Sequence, residues 1–305
     1  MELRHMRHFI AVAEELNFNR AAARLNMAQP PLSQSIRRLE DSLGVQLLDR
    51  SRRGVALTRA GIVFLGEARN AIKHADLARK LASREAAPTP EIRVSFTTAA
   101  LYRLFPRLLV EFRDHAPGVL VQLHEQLSPL QVAPILSGDC DVGFVTSTTK
   151  GIEDFESLAV ENARLVAAVP GDWPLAARKS IGLVELAEYP FILPTRLDYA
   201  IDSDATIALF RKAGVMPNVT RGDIHVSTTF TLVGAGLGCT VTTGTAALTA
   251  PHNVRFIPIS DSPNSSTWGL KMIWRPTQLT QFGRIFVDFT SDYIKNNPSN
   301  GMGAR

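Results

Sequence analysis

The chain has 305 residues, 45% hydrophobic and 20% charged, enough apolar material for two or more cored domains. No stretch approaches the roughly 20 uninterrupted apolar residues of a membrane span. The opening Met-Glu-Leu-Arg-His-Met-Arg-His-Phe has no apolar run of signal-peptide length, so a cytoplasmic location is expected. Charge is uneven: residues 1–90 carry 15 Lys and Arg against 9 Asp and Glu, net +6, while residues 91–305 carry 18 against 20, net −2. A polyanion partner suits the N-terminal third, and a different task the remainder.

Leu3, Met6, Phe9, Ile10 and Ala13 trace an amphipathic first helix. Ala22 and Leu25 mark the inner side of a short second helix that Asn17 or Asn19 can cap, with Asn26 in the following turn. Leu32, Ile36, Leu39 and Leu43 then recur at spacings of four, three and four, the buried stripe of a third helix that Gly44 terminates. Its opposite surface holds Pro30, Ser33, Gln34, Arg37 and Arg38, with Gln29 near the first turn. By itself this pattern fits a generic helical hairpin as well as a DNA-reading helix-turn-helix. Two short apolar runs flanking a turn at residues 51–54 follow, reading as a wing with Arg50, Arg52 and Arg53 at its tip. These arginines suit phosphates or a minor groove, and a solvated charged turn is the alternative.

Thr58 can cap a long helix reaching about Glu85, whose stripe Ile62, Leu65, Ala68, Ile72 and Ala75 a small domain cannot cover. A partner helix from a second copy is the economical answer. Pro-Thr-Pro at residues 88–90 breaks that helix and marks a domain boundary.

From Glu91 onward strands and helices alternate. Strands are predicted at residues 92–96, 119–124, 142–145, 165–169, 191–193, 224–226, 238–241 and 270–274. Helices are predicted at 104–113, 130–136, 184–186, 205–213, 228–233 and 279–294. This predicts an α/β region with a largely parallel sheet, in two similar lobes enclosing a small-molecule cleft. Gly234-x-Gly236-x-Gly238 follows a helix and precedes a strand, the reverse of a dinucleotide loop. HExxH, GxSxG and P-loop motifs are absent, and Asp139 and Asp141 read as a turn. Cys140 and Cys239 form no CxxC pair and read as buried thiols. The expectation is a non-enzyme without cofactor or metal.

With wing and long helix in place, the chain resembles a LysR-type transcriptional regulator. The resemblance rests on Arg20-Ala21-Ala22, Leu25, Gln29-Pro30, Leu32-Ser33, Ile36, Leu39-Glu40, Leu43-Gly44, Leu47-Leu48, Arg50, Arg53, Leu57-Thr58 and Gly61. It continues through Pro106, Phe112, Pro117, Glu125, Gly138, residues 141–144 and residues 232–238. Within that family the opening Met-Glu-Leu-Arg-His and residues 28–33 are similar to regulators of aromatic-acid catabolism.

The resemblance implies a multidomain α/β protein. It comprises a winged helix-turn-helix over residues 1–58, a linker and dimerisation helix over 59–90, and a two-lobed effector domain over 91–305 resembling periplasmic binding proteins. Lobe I would take about 91–163 and 270–305, lobe II about 164–269. It implies a ligand-responsive DNA-binding regulator, homo-oligomeric as a dimer of dimers, binding double-stranded DNA and a small organic acid, aromatic or dicarboxylic. RNA polymerase stands as a further candidate partner, a membrane does not. Gln29, Pro30, Ser33 and Gln34 match base-reading positions and Arg53 the wing contact; Arg37, Arg50 and Arg52 complete the candidate DNA set. Gln34 departs from the Arg of many relatives, favouring adenine over guanine. The candidate effector set is Thr97, Thr98, Ala99, Ser128, Thr146, Ile201, Asp202, Ser203 and Trp268, with Asp202 either facing the pocket or capping a helix. An α/β enzyme or solute-binding protein with an accessory helical domain is the alternative, and the missing catalytic constellation disfavours it.

Overall fold

The computed structural model describes residues 1–297 apart from 52–53, 87–89, 194–200, 222–225 and 262–267. The chain divides into two compact units, Met1–Ala87 and Pro88–Arg305.

In the first unit, helices α1 (Leu3–Glu15), α2 (Phe18–Arg24) and α3 (Gln29–Leu43) precede an antiparallel hairpin. Its strands are β1 (Leu48–Ser51) and β2 (Gly54–Leu57), and the helix α4 (Arg59–Ala86) follows. Asn17 starts α2 because its side-chain oxygen accepts from the N–H groups of Asn19 and Arg20, at 2.9 and 3.1 Å. Both are donors that a helix start leaves open. Asn26, at φ 52°, turns the chain into α3 in the left-handed region that Asn tolerates. Ala28 gives α3 no side-chain cap, and proline instead occupies the first turn, where a missing N–H removes no helical bond. Gly44, at φ 68°, ends it.

Leu32, Ile36 and Leu39 are fully buried in one cluster with Phe9, Val12, Ala21 and Ala22. Burying each large side chain contributes roughly 1.5–3 kcal/mol, so this stripe determines which face of α3 meets α1 and α2.

In the second unit, β3 (Glu91–Phe96) leads through α5 (Ala99–Tyr102) and α6 (Leu104–His115) to β4 (Leu120–Glu125). Then come α7 (Ser128–Leu136), β5 (Val142–Thr146), β6 (Glu156–Asn162), β7 (Leu165–Pro170), α8 (Leu183–Leu186), β8 (Pro190–Ile192) and α9 (Ile201–Lys212). The chain continues as β9 (Asn218–Arg221), α10 (Val226–Gly234), β10 (Thr240–Thr243), β11 (Val254–Pro258), β12 (Gly269–Trp274) and α11 (Gln281–Asn296). One sheet has the order β4-β3-β5-β12-β6, with β3 parallel to β4 and β5 and β12 antiparallel to β5 and β6. The other is built on antiparallel β10-β7-β11, to which the parallel pair β8-β9 joins through a bridge between Phe191 and Cys239.

Each sheet has its own core. Val94, Phe105, Phe112, Phe144 and Phe286 pack on the first, and Val169, Leu186, Phe191, Phe210 and Ile257 on the second. The chain passes between lobes after β6 and again before β12, and the two crossings touch where the Ala163 N–H donates to the Trp268 carbonyl at 2.8 Å.

Two expectations need correction. The sheets are mixed, because β12 pairs antiparallel with β5 and β6, and β7 antiparallel with β10 and β11, and β6, β9 and β11 have no counterpart among the predicted strands. Val226, read as strand, opens helix α10, while residues 224–225 lie outside the described residues.

Candidate functional site

The polar side of α3 is built by the burial of its opposite stripe. Pro30, Gln34, Arg37 and Arg38 are exposed there, and Gln29 and Ser33 are half-buried. Arg52 and Arg53 lie outside the described residues.

Arg50 is not at the hairpin tip: it is the third residue of β1, opposite Val55. Its Nη2 donates to Glu40 Oε2 at 2.7 Å, and its guanidinium lies 5.3 Å from the centre of the Phe18 ring. Glu40, buried on α3, also accepts from the N–H groups of Leu47 and Leu48 through Oε1, at 2.9 and 3.1 Å. One carboxylate therefore ties the end of α3 to the base of the wing, a brace that hydrophobic patterning does not reveal.

The joint continues into α4. The Thr58 hydroxyl donates to the Gln46 carbonyl at 2.8 Å and accepts from the Gly61 N–H at 2.9 Å, the cap expected of Thr58.

In the second unit, the carboxyl ends of parallel strands β4, β3 and β5 bring together residues 97–99, 125–128 and 146. Such ends are where α/β sheets place ligands. Few of the hydroxyls there are idle. Thr98 donates to Glu125 Oε1 at 2.6 Å. Ser128, 3% exposed, accepts from the Thr146 N–H at 3.0 Å, pinning the start of α7 to the end of β5. The Thr146 hydroxyl lies 3.2 and 3.1 Å from those of Thr148 and Thr149. The Thr97 N–H donates to the Phe144 carbonyl, and Ala99 opens α5.

Trp268 sits at the second crossing, packed on the core of the second lobe, with its indole N–H buried and without a partner among the described residues. Ile201, Asp202 and Ser203 form the first turn of α9, and their side chains lie outside the described residues.

Residues absent from the sequence reading join the lobes beside these strand ends. Tyr102 of α5 packs against the second-lobe cluster of Phe230, Val233 and Val254. Burial, then the charge of Glu125, pushes its phenol up to about 12. Glu161, 4% exposed at the end of β6, has Arg103 Nε at 3.9 Å and a hydrogen bond from Thr245 of the other lobe. Burial raises its carboxyl above the ordinary range, and Arg103 and then Thr245 oppose that rise.

The remaining reactive groups are inert. Burial holds the Cys239 thiol at about 12 and raises that of Cys140, so both stay protonated. Asp141 accepts from the Arg93 N–H at 2.9 Å and Asp139 from Ser137 at 2.6 Å, which makes them turn residues. Among the described residues no helix is long and apolar enough to cross a membrane.

Comparison with known proteins gives the same two parts. Residues 3–62 match the bacterial regulatory helix-turn-helix protein, lysR family, and residues 85–294 match the LysR substrate binding domain. The chain is 36% identical to the uncharacterized HTH-type transcriptional regulator YnfL of Escherichia coli (strain K12), over 90% of this chain and 92% of that one. It is 33% identical to the Hca operon transcriptional activator HcaR of the same organism, over 96% and 98%. Full-length CbnR, solved in complex with its target DNA, superposes with a TM-score of 0.56 at 28% identity, over 96% of this chain and 99% of that one. A helix-turn-helix segment matched over residues 3–62 and a two-lobed domain matched over residues 85–294 together place this chain in the LysR family of ligand-responsive transcriptional regulators.

Proposed function

We propose that α3 reads its operator through Gln29, Pro30, Ser33, Gln34 and Arg37, with Arg52 and Arg53 reaching the backbone or minor groove from the wing tip. In this reading, residues 1–58 form the DNA-binding module, 59–90 the linker and dimerisation helix, and 91–305 the effector domain. The observation that carries it is the exposed face of α3, where side chains able to reach base edges and phosphates are segregated from a fully buried stripe. Arg50 braces the wing through Glu40 and supports the readout indirectly. Gln34 presents the amide that pairs bidentately with adenine N6 and N7. Selection of preferred sites by wild type and Gln34→Arg tests this assignment. A shift from adenine to guanine at one position of each half-site is expected, and an unchanged preference contradicts it.

Two copies joined through α4 supply the paired grip: of the predicted stripe, Ala68 is buried and Leu65 packs on the helical core within one copy, while Ile62, 62% exposed, and the neighbouring Val63, 70% exposed, stay open to a partner. The effector is a small organic acid held between the lobes. Support comes from the buried indole N–H of Trp268, which has no partner among the described residues. The aromatic or dicarboxylic class follows the sequence resemblance to regulators of aromatic-acid catabolism. A thermal-shift series of small acids checks it, since a bound ligand raises stability by RT ln(1 + [L]/Kd).

A further inference from the structure

The geometry points to Glu125 as a specificity-determining residue of the effector site, an acceptor that selects small acids carrying a hydrogen-bond donor, a hydroxyl or an ammonium group. This inference rests on the proposal that an acid binds between the lobes at the strand ends.

Glu125 closes β4, directly beside Phe96 in the parallel register with β3, so its carboxylate stands next to the residue 97–98 turn. Thr98 has one hydroxyl proton, and that proton is given to Glu125 Oε1 at 2.6 Å, the length of a charge-assisted bond. Thr98 thus presents only acceptor lone pairs to a ligand. Among the described residues, no protein donor reaches the second oxygen of Glu125.

Thr98, the partner of Glu125, immediately precedes α5, and Tyr102 at the other end of that helix is seated in the second-lobe cluster, so the bonded pair stands at the strand ends beside the element that reaches the second lobe.

The local chemistry is consequently acceptor-rich: a carboxylate oxygen and a hydroxyl oxygen whose proton is engaged. A second ligand carboxylate placed there meets like charge, whereas a hydroxyl or ammonium donates to it. The ligand's own carboxylate is then left to donors elsewhere in the cleft, such as the Trp268 indole N–H. A donor that meets a charged acceptor contributes enough to discriminate its absence by about tenfold or more.

The test uses the full-length protein, its Glu125→Ala and Glu125→Gln variants, and thermal-shift titrations with matched pairs. Benzoate is set against 3- and 4-hydroxybenzoate, and succinate against malate. In wild type, the hydroxylated member of at least one pair is expected to stabilise at about tenfold lower concentration than its partner. Glu125→Ala should abolish that ratio. Glu125→Gln, which keeps an oxygen acceptor but loses the charge, should retain part of it and bind succinate more tightly than wild type does. Equal response within every pair, or an unchanged ratio in Glu125→Ala, overturns the inference while leaving an acid-binding cleft intact. Stabilisation by none of the acids removes the acid reading and this inference with it. Near-identical melting temperatures of the three ligand-free proteins establish that the exposed substitutions leave the fold in place.

Discussion

At the scale of single residues, the best-determined features are carboxylates whose roles differ with their surroundings. Glu40 satisfies two backbone N–H groups and one guanidinium at the junction of α3 and the wing. Glu40→Ala leaves those groups partly buried and unmatched. It should lower unfolding free energy by about 2–4 kcal/mol, read from the urea midpoint, and a loss under about 0.5 kcal/mol would refute the brace. Glu161 is the opposite case. Its folded carboxyl titrates above the ordinary 4.5, so the native state holds its proton more tightly than the unfolded chain does. Stability contributed by this group is greatest below about 4.5 and is lost as pH rises through the folded value. Glu161→Gln removes the charge, so the variant should gain on wild type as pH rises through that window and keep a constant advantage above it. Parallel pH profiles of the two melting temperatures would contradict this.

At the scale of elements, the joint between wing and α4 permits a paired test. A methyl group added at Gly61 would lie 2.1 Å from the Leu47 carbonyl oxygen, whereas Gly66, on the same helix, has nothing within 4 Å. Gly61→Ala should destabilise by about 1–3 kcal/mol through overpacking. Gly66→Ala should stabilise by roughly 0.5–1 kcal/mol through helix propensity. Calorimetry of both variants checks it, and similar effects at the two sites would discount the close approach. Asn17→Ala should lose about 1 kcal/mol with the cap of α2, and an unchanged midpoint would discount that cap.

The elements most legible in the sequence are those with one buried stripe and chemical punctuation: Asn17, Gly44 and Thr58 mark helix ends by mechanisms that need no tertiary partner. Legibility falls where pairing decides structure. β6 reads Glu-Ser-Leu-Ala-Val-Glu-Asn and lies at a sheet edge, so only its Val160 and Glu161 are buried and its alternation is faint. β9 and β11 are short, with four and five residues. The antiparallel placement of β12 between β5 and β6 depends on the chain returning from the other lobe, which local periodicity does not encode. The polar sites divide likewise. The exposed face of α3 follows from its stripe, whereas the engagement of Thr98 by Glu125 and of Ser128 by the Thr146 N–H arises from strand register.

At the scale of the whole molecule, the charge asymmetry of the sequence and the two structural units assign different chemistry to the two parts of the chain. The first carries a surplus of basic residues, the second two sheets with separate cores joined by two crossings. The central claim is that α3 and the wing hold specific DNA. The most direct measurement is the affinity of the full-length protein for DNA upstream of its own gene, followed by fluorescence anisotropy across a salt series beside a random duplex. Specific binding with a steep negative slope of log affinity against log salt is predicted. Arg37→Ala should reduce that slope by about 1, because one phosphate fewer is neutralised. Equal affinity for the random duplex, or a slope that Arg37→Ala leaves unchanged, would contradict the account.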